Sequence, residues 1–354
     1  MSQNRIVIVL GAGASKAVSQ KFGIGCQLIE EIISQSKNPS GDTRPKSDNY
    51  IGRVFDELIK NLNDNRIKTT ANQLDLTFET RLKFSNELTS YKKEEGAKAS
   101  IDSFLNLPNI INNSSYQFIA RFFIFINIMG YEGACMGEAA FQRKSWLNVL
   151  ANFVQEHSLF QNNSKIKLDI ITFNYDRLVE EFLYRTFGNL IIPFTDANIH
   201  HVYDKVGELP WQIKDEKSLI NPIIERIINF GHPNFDNLRI FSNLEKIRLI
   251  TDQRQNEDVQ KTCSELIHNA NNVIIIGFAF DSLNVSRIGL NNINPKRQNI
   301  YAHLFIDKSK SNYQLEIDEK KATIPDNLRD QIQYGYINCK NFLSKLLTLL
   351  ARPV

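Results

Sequence analysis

Cysteine is scarce in this 354-residue chain: Cys26, Cys135, Cys263 and Cys339 stand far apart, with no CxxC pair among the four. That spacing excludes a zinc ribbon and points to reduced thiols of a cytoplasmic protein, each a small core residue. An excess of charge of one sign is also lacking. With 42 basic against 39 acidic residues the net charge is +3, so no overall field marks a nucleic-acid or membrane binder, although local basic patches stay open. Long hydrophobic runs are missing as well. The opening MSQNRIVIVLGAG meets glycine too soon for a signal peptide, the longest apolar run, Phe122–Met129, reads as a buried helix, and no other stretch approaches a membrane-spanning length. Repeats and low-complexity tracts are absent. The 42% of hydrophobic residues nevertheless suffices for a sizeable core in one large domain or two ordinary ones.

What is present is organised around Arg5–Ala17, RIVIVLGAGASKA. The β-branched and aliphatic run Ile6–Leu10 ends in Gly-Ala-Gly-Ala-Ser, which predicts a strand, a tight turn and a helix. Such a turn suits phosphate, because Gly11 and Gly13 allow close approach and Ser15 can cap a helix whose free N–H groups face the turn. Lys16 stands where the third glycine of the dinucleotide fingerprint would fall, which leaves an ordinary strand–helix turn as the alternative.

Downstream, a glycine-containing loop at Phe22–Leu28 leads into an amphipathic helix, and the polar stretch Ser36–Asn49 marks a surface connection and boundary. From 50 to 161 apolar residues recur at helical spacing: Ile51, Val54, Phe55, Leu58; Leu74, Phe78, Leu82; Phe118, Phe122, Phe125. This predicts an inserted helical lobe with aromatic side chains as core and Glu79–Arg81 and Lys92–Glu95 as solvated faces. The sheet pattern resumes at Lys167–Phe173, which runs into Asn174-Tyr175-Asp176 and a helix over 177–187. Ile199–Gly207 predicts a short strand and turn, with His201 and Tyr203 on one face and His200 on the other. A helix over 259–269, strands over 272–281 and 299–307, and a final helix over 342–350 complete the pattern. Ligands of open α/β sheets bind where strands end, which singles out Asn174 and Asp176.

Together, GAGAS at 11–15, TFNYD at 172–176, the histidine-bearing strand at 200–207 and GFAFDSLN at 277–284 resemble the sirtuin-like family, in its branch of bacterial NAD-cleaving defence proteins. The resemblance implies an α/β fold, a Rossmann-like parallel sheet built from residues 1–38 and 165–310, with the inserted helical lobe at 50–161 left unexplained and 311–354 adding a C-terminal strand and helix. It implies NAD+ as substrate, with Gly11, Ala12, Gly13 and Ser15 as the phosphate cradle and Asn174 and Asp176 at the Asn-x-Asp positions. Two departures stand out. Sirtuin deacylases carry His-Gly at the third motif, whereas Tyr203-Asp204 occupies that register and His201 stands two residues earlier. The four-cysteine zinc module that shapes an acyl-lysine groove is missing, so no zinc is expected and a peptide substrate is disfavoured.

By this resemblance the protein is expected to be an NAD+ glycohydrolase that releases nicotinamide and ADP-ribose. Asn174 would orient the ribose or the attacking water, and His201, in preference to His200, would act as base, with Tyr203 a pocket contact. Asp176 is either an electrostatic partner for the developing cation or a carboxylate cap on the next helix. Gly277 would admit the adenosine half closely, and Asp281 and Asn284 would hydrogen-bond ribose or adenine, unless they form a simple strand-end turn. An NADase needs restraint, which the resemblance places in a homo-oligomer and a partner: a HerA-type ATPase by preference, an Argonaute-type sensor or a phage protein otherwise, with no direct nucleic-acid or membrane binding. A non-catalytic NAD or ADP-ribose sensor is the competing expectation, and protein deacylation a more distant one.

Overall fold

The computed structural model describes residues 3–23, 25–37, 48–63, 74–96, 99–138, 145–159, 164–212, 227–231, 257–293, 297–303, 326–330, 332–335 and 338–350, with residues 244, 247, 249, 318, 321, 322 and 324 singly between them. Most of the polar connection expected at 36–49 and the strand residues expected at 304–307 lie outside them. The chain divides into two compact units, one of Met1–Phe22, Cys135–Val202 and Gln255–Val354, the other of Gly23–Ala134 and Tyr203–Arg254.

The first unit is a mixed α/β body around a six-stranded, all-parallel sheet. Its strands are β1 (Asn4–Leu10), β2 (Ile166–Thr172), β3 (Ile199–His201), β4 (Asn272–Ile276), β5 (Asn299–His303) and β6 (Ile332–Gly335). At the centre of the sheet, Ile6–Leu10 of β1 and Val273–Ile276 of β4 are β-branched and aliphatic without alternation, the pattern of strands covered on both faces. Ile6, Val7, Ile8, Val9 and Leu10 are each at most 1% exposed. The order in space is β3-β2-β1-β4-β5-β6, the Rossmann-like arrangement. From central β1 the chain builds outward through β2 and β3, then returns to the other side of β1 and builds outward again through β4, β5 and β6. The reversal falls between β1 and β4, paired from Ile6 with Asn272 to Leu10 with Ile276. A crevice at the carboxyl ends of strands opens at such a reversal.

The helices of the first unit include Trp146–Glu156, which packs against Cys339–Leu350 and whose Trp146 Nε1 donates to the Ala14 carbonyl at 2.9 Å. Trp146–Glu156 therefore goes with the sheet, although its sequence lies inside the stretch read as the inserted lobe. Conversely, Gly25–Lys37 belongs to the second unit, where it packs against Phe78–Glu95.

The described elements of the second unit are mainly helices, with an isolated bridge between Glu208 and Ile227. Aromatic side chains fill its core: Phe55 meets Phe122 edge-on at 4.9 Å, and Phe84 meets Phe104 at 5.7 Å and Tyr116 at 5.4 Å. One helix face differs from the sequence expectation. On Phe78–Glu95 the buried side is Arg81, Phe84, Leu88 and Tyr91, while Phe78 is 42% exposed and Leu82 half-buried. Arg81, read as part of a solvated face, is 1% exposed, its guanidinium 5.1 Å from the Phe55 ring centre, 5.2 Å from that of Phe78 and 3.4 Å from Asp56. A planar guanidinium stacks on aromatic faces, so a charged residue can occupy a core position.

The longest helix among the described residues, Ser114–Met136, contains the Phe122–Met129 run and by length and composition alone is apolar enough to cross a membrane. Of its apolar window 78% is buried inside the protein, as in a core helix. None of the four cysteines is in a disulfide; Cys26 is half-buried and the others are buried. Burial pushes the Cys263 and Cys339 thiols up to about 12.

Candidate functional site

At the carboxyl ends of β1 and β4 two turns cross in direct backbone contact. Gly11 N–H donates to the Ile276 carbonyl and Gly13 N–H to the Gly277 carbonyl, both at 3.0 Å. A Cβ on Gly11 would lie 2.5 Å from the Gly277 oxygen, and one on Gly277, whose φ is +63°, only 2.1 Å from the Ala14 nitrogen. The glycines thus let two strand ends interlock. Two N–H groups of the turn are engaged in that crossing, and Ala12 is its exposed residue. The following helix, Ala12–Lys16, has Gly11 as its cap residue and no side-chain cap.

Ser15 does not cap that helix. Its side chain is buried and donates to Asp176 Oδ2 at 2.7 Å while accepting from Asn174 Nδ2 at 2.9 Å. Asn174 Nδ2 also donates to the Gly11 carbonyl at 3.2 Å. A carbonyl oxygen only accepts, so this contact fixes which end of the Asn174 amide is the NH2. The other end, Oδ1, is buried and accepts no hydrogen bond among the described residues. Phe173, Asn174, Tyr175 and Asp176 stand in irregular backbone between β2 and the helix Leu178–Phe187, shaped by bonds from Asn174 N–H to Thr172 Oγ1 at 3.1 Å and from Leu178 N–H to Asp176 Oδ1 at 3.2 Å. Asp176 therefore does cap that helix with one oxygen, and holds Ser15 with the other.

Strand β3 brings His201 to the same place. Its Nδ1 lies 3.0 Å from the Asn174 carbonyl and its Nε2 2.7 Å from Glu180 Oε1, with the imidazole 8% and the carboxylate 3% exposed. Nδ1 facing a carbonyl must carry a proton, and Nε2 facing a carboxylate shares one with it. Neighbouring His200 points elsewhere, 3.9 Å from Asp169. Tyr203 is buried but lies past β3, in a turn at the start of the second unit's later segment, so strand alternation does not govern its direction.

Beyond β4, Asp281 caps Ser282–Arg287 by accepting from Leu283 N–H and Asn284 N–H, both at 3.1 Å. Asp281 and Asn284 are half-buried. The Phe173 and Phe278 rings meet at a 39° tilt with their centres 4.9 Å apart, and Phe280 adopts a positive φ of +58°, rare for a residue with a side chain. Among the described residues no three His, Cys, Asp or Glu side chains gather as a metal site requires.

The structure thus brings Gly11, Ser15, Asn174, Asp176 and His201 into one network and adds Glu180, which sequence reading missed. An acidic residue in the first turn of a helix is ordinarily a solvated companion of the helix dipole, so nothing local marked it. Fold and network define a mixed α/β protein with a Rossmann-like sheet and a buried polar cluster at its carboxyl edge. The sequence matches no protein-family model and none of the curated proteins compared with it.

Proposed function

We propose that the protein is an NAD+ glycohydrolase acting in bacterial antiphage defence by depleting NAD+, in the cytoplasm, as an oligomer restrained or triggered by a partner of the HerA-type ATPase class. The observation that carries the reading is the cluster at the ends of β1, β2 and β3, in which Asn174 Oδ1 is buried without a donor. A buried amide oxygen left unpaired is destabilising by about 1–3 kcal/mol, which a hydroxyl or water offering a proton would offset.

In the reaction, nicotinamide leaves with the electrons of its glycosidic bond, water attacks the oxocarbenium-like carbon, and one proton is released. Asn174 Oδ1 orients the ribose hydroxyl or the water. As built, the imidazole of His201 has both nitrogens engaged, so His201 takes the proton at Nε2 only once that nitrogen has turned away from Glu180, which keeps the proton the two had shared. The turn at Gly11–Gly13, with Ala12 exposed, is the place for the phosphates, and the Gly277–Asn284 stretch for the adenosine half.

A second reading, a non-catalytic sensor of NAD or ADP-ribose, draws on the same engagement of His201, which a binding module would not need to undo. To separate the two, the chain alone and with a HerA-type ATPase is incubated with NAD+, and nicotinamide and ADP-ribose are resolved by chromatography. Release that disappears in Asn174→Ala and falls steeply in His201→Ala is expected. Binding by calorimetry with no release in either preparation would establish the sensor, and neither binding nor release would remove both readings.

A further inference from the structure

The Asn174 amide has two ends of opposite chemistry, and its usefulness depends on which one is left unpaired. An NH2 group donates, whereas the oxygen accepts; to hold a ribose hydroxyl or a water by its proton, the oxygen must be free. In water the two orientations of a primary amide interconvert by simple rotation of the side chain. Here the choice is made by a chain of three side chains drawn from two strand ends.

Asp176 stands at its start. One carboxylate oxygen caps the helix at Leu178 N–H, and the other accepts the Ser15 hydroxyl proton at 2.7 Å. A hydroxyl has one proton, so Ser15 Oγ can only accept from its next neighbour, and at 2.9 Å that neighbour is Asn174 Nδ2. The Gly11 carbonyl, at 3.2 Å from the same nitrogen, demands the same polarity. The members are enclosed: Ser15 is 2%, Asp176 6% and Asn174 8% exposed. Water therefore has little access to replace a missing partner, and an ionised carboxylate makes the first link a charge-assisted one.

We propose that Ser15 and Asp176 are positioning residues for Asn174, forming a hydrogen-bond relay whose polarity, set by the Asp176 carboxylate, keeps the Asn174 oxygen free to take the proton of the substrate hydroxyl or water. This rests on the glycohydrolase reading for its substrate, while the relay itself is a property of the folded chain. It separates Asp176 from direct stabilisation of the developing cation, and Ser15 from the phosphates.

Asp176→Asn is the informative substitution, since an amide keeps an oxygen for Leu178 N–H but offers Ser15 a donor in place of an acceptor. Ser15 Oγ then accepts from the new amide, and its own proton finds an acceptor when the Asn174 amide flips and turns its oxygen toward Ser15. Ser15→Ala removes the middle link without touching the cap. Each variant is expected to lower kcat by about 10²-fold with KM little changed, the scale of a displaced reacting group. The double variant is expected to lose no more than the worse single one, because both act through Asn174. Losses that multiply in the double variant would mean that Asp176 acts on the substrate directly, and would overturn the proposal.

A second measurement needs no turnover. With 15N-labelled asparagine, the Asn174 side-chain NH2, assigned by its disappearance in Asn174→Ala, is expected to exchange slowly in the parent and rapidly in Ser15→Ala. Rapid exchange in the parent would show that the relay does not form, whatever the activity. Slow exchange in a chain that cleaves no NAD+ would leave the relay standing and remove the glycohydrolase reading instead.

Discussion

Gly277→Ala tests the crossing of the two strand-end turns. The added methyl would sit 2.1 Å from the Ala14 nitrogen and 2.3 Å from the Gly13 carbonyl carbon, both backbone atoms that cannot swing aside. A residue with a side chain held at φ +63° is destabilised by about 1–2 kcal/mol on conformational grounds alone. Relief of the overlap requires the turns to separate by more than an ångström, which strains the surroundings by about 1–3 kcal/mol. It also breaks the Gly13 N–H bond to the Gly277 carbonyl, a further net contribution of about 1 kcal/mol. The whole effect is about 3–6 kcal/mol. Gly188→Ala is the control, because Gly188 has a similar φ of +58° and nothing within 4 Å of its missing Cβ, so only the conformational part remains. Urea unfolding followed by Trp146 fluorescence in a Trp211→Phe background reads the sheet unit, since these are the two tryptophans of the chain. Should Gly277→Ala unfold within about 1 kcal/mol of Gly188→Ala, the crossing is not the close contact described. The comparison also guards the binding assays, because a Gly13 or Gly277 variant that fails to bind NAD+ has to be shown folded first.

Three further outcomes are expected. Iodoacetamide at pH 8 should label half-buried Cys26 first by peptide mass analysis, while Cys263 and Cys339, pushed up to about 12 by burial, stay protonated and unmodified until unfolding; prompt native labelling of either would contradict their burial. Burial raises the Glu31 carboxyl above its ordinary 4.5, against the lowering bond from Tyr131 at 2.6 Å and with help from Glu30. The folded chain then holds a proton that the unfolded chain has released, so this contribution is complete below the ordinary value and is lost as pH rises through the raised one; Glu31→Gln should flatten that slope in stability-versus-pH curves, and an unchanged slope would refute it. Arg81→Ala should destabilise the second unit by about 2–4 kcal/mol in urea, because it empties a place between Phe55 and Phe78, whereas a solvated arginine would give less than about 0.5 kcal/mol.

Strands β1 and β4 were legible because a strand covered on both faces needs an unbroken apolar run, which few other elements use. Their order in space was not, since hydrophobic runs carry no record of which neighbour they pair with; the motif resemblance supplied only a Rossmann-like parallel sheet, and the order is seen in the structure. The Phe78–Glu95 helix was read with the wrong face inward because charge was taken as a mark of solvent, while Arg81 finds aromatic rings and Asp56 inside. At the candidate site, Asn174 and Asp176 were marked by their place after a strand. The partnership of Ser15 with both of them spans about 160 positions and leaves no local trace. Nor does the pairing of Glu180 with His201, which depends on a helix and an edge strand meeting.

The interlocked turns also bear on how such chains are recognised. Glycines at 11, 13 and 277 are demanded by two backbones meeting, a need that exists whether or not a nucleotide ever occupies the crevice. A divergent descendant that had lost every polar side chain of the cluster would still have to keep them to close its sheet. Their presence is therefore a signature of the architecture, and the residues whose retention would speak for chemistry are Ser15, Asn174, Asp176, Glu180 and His201.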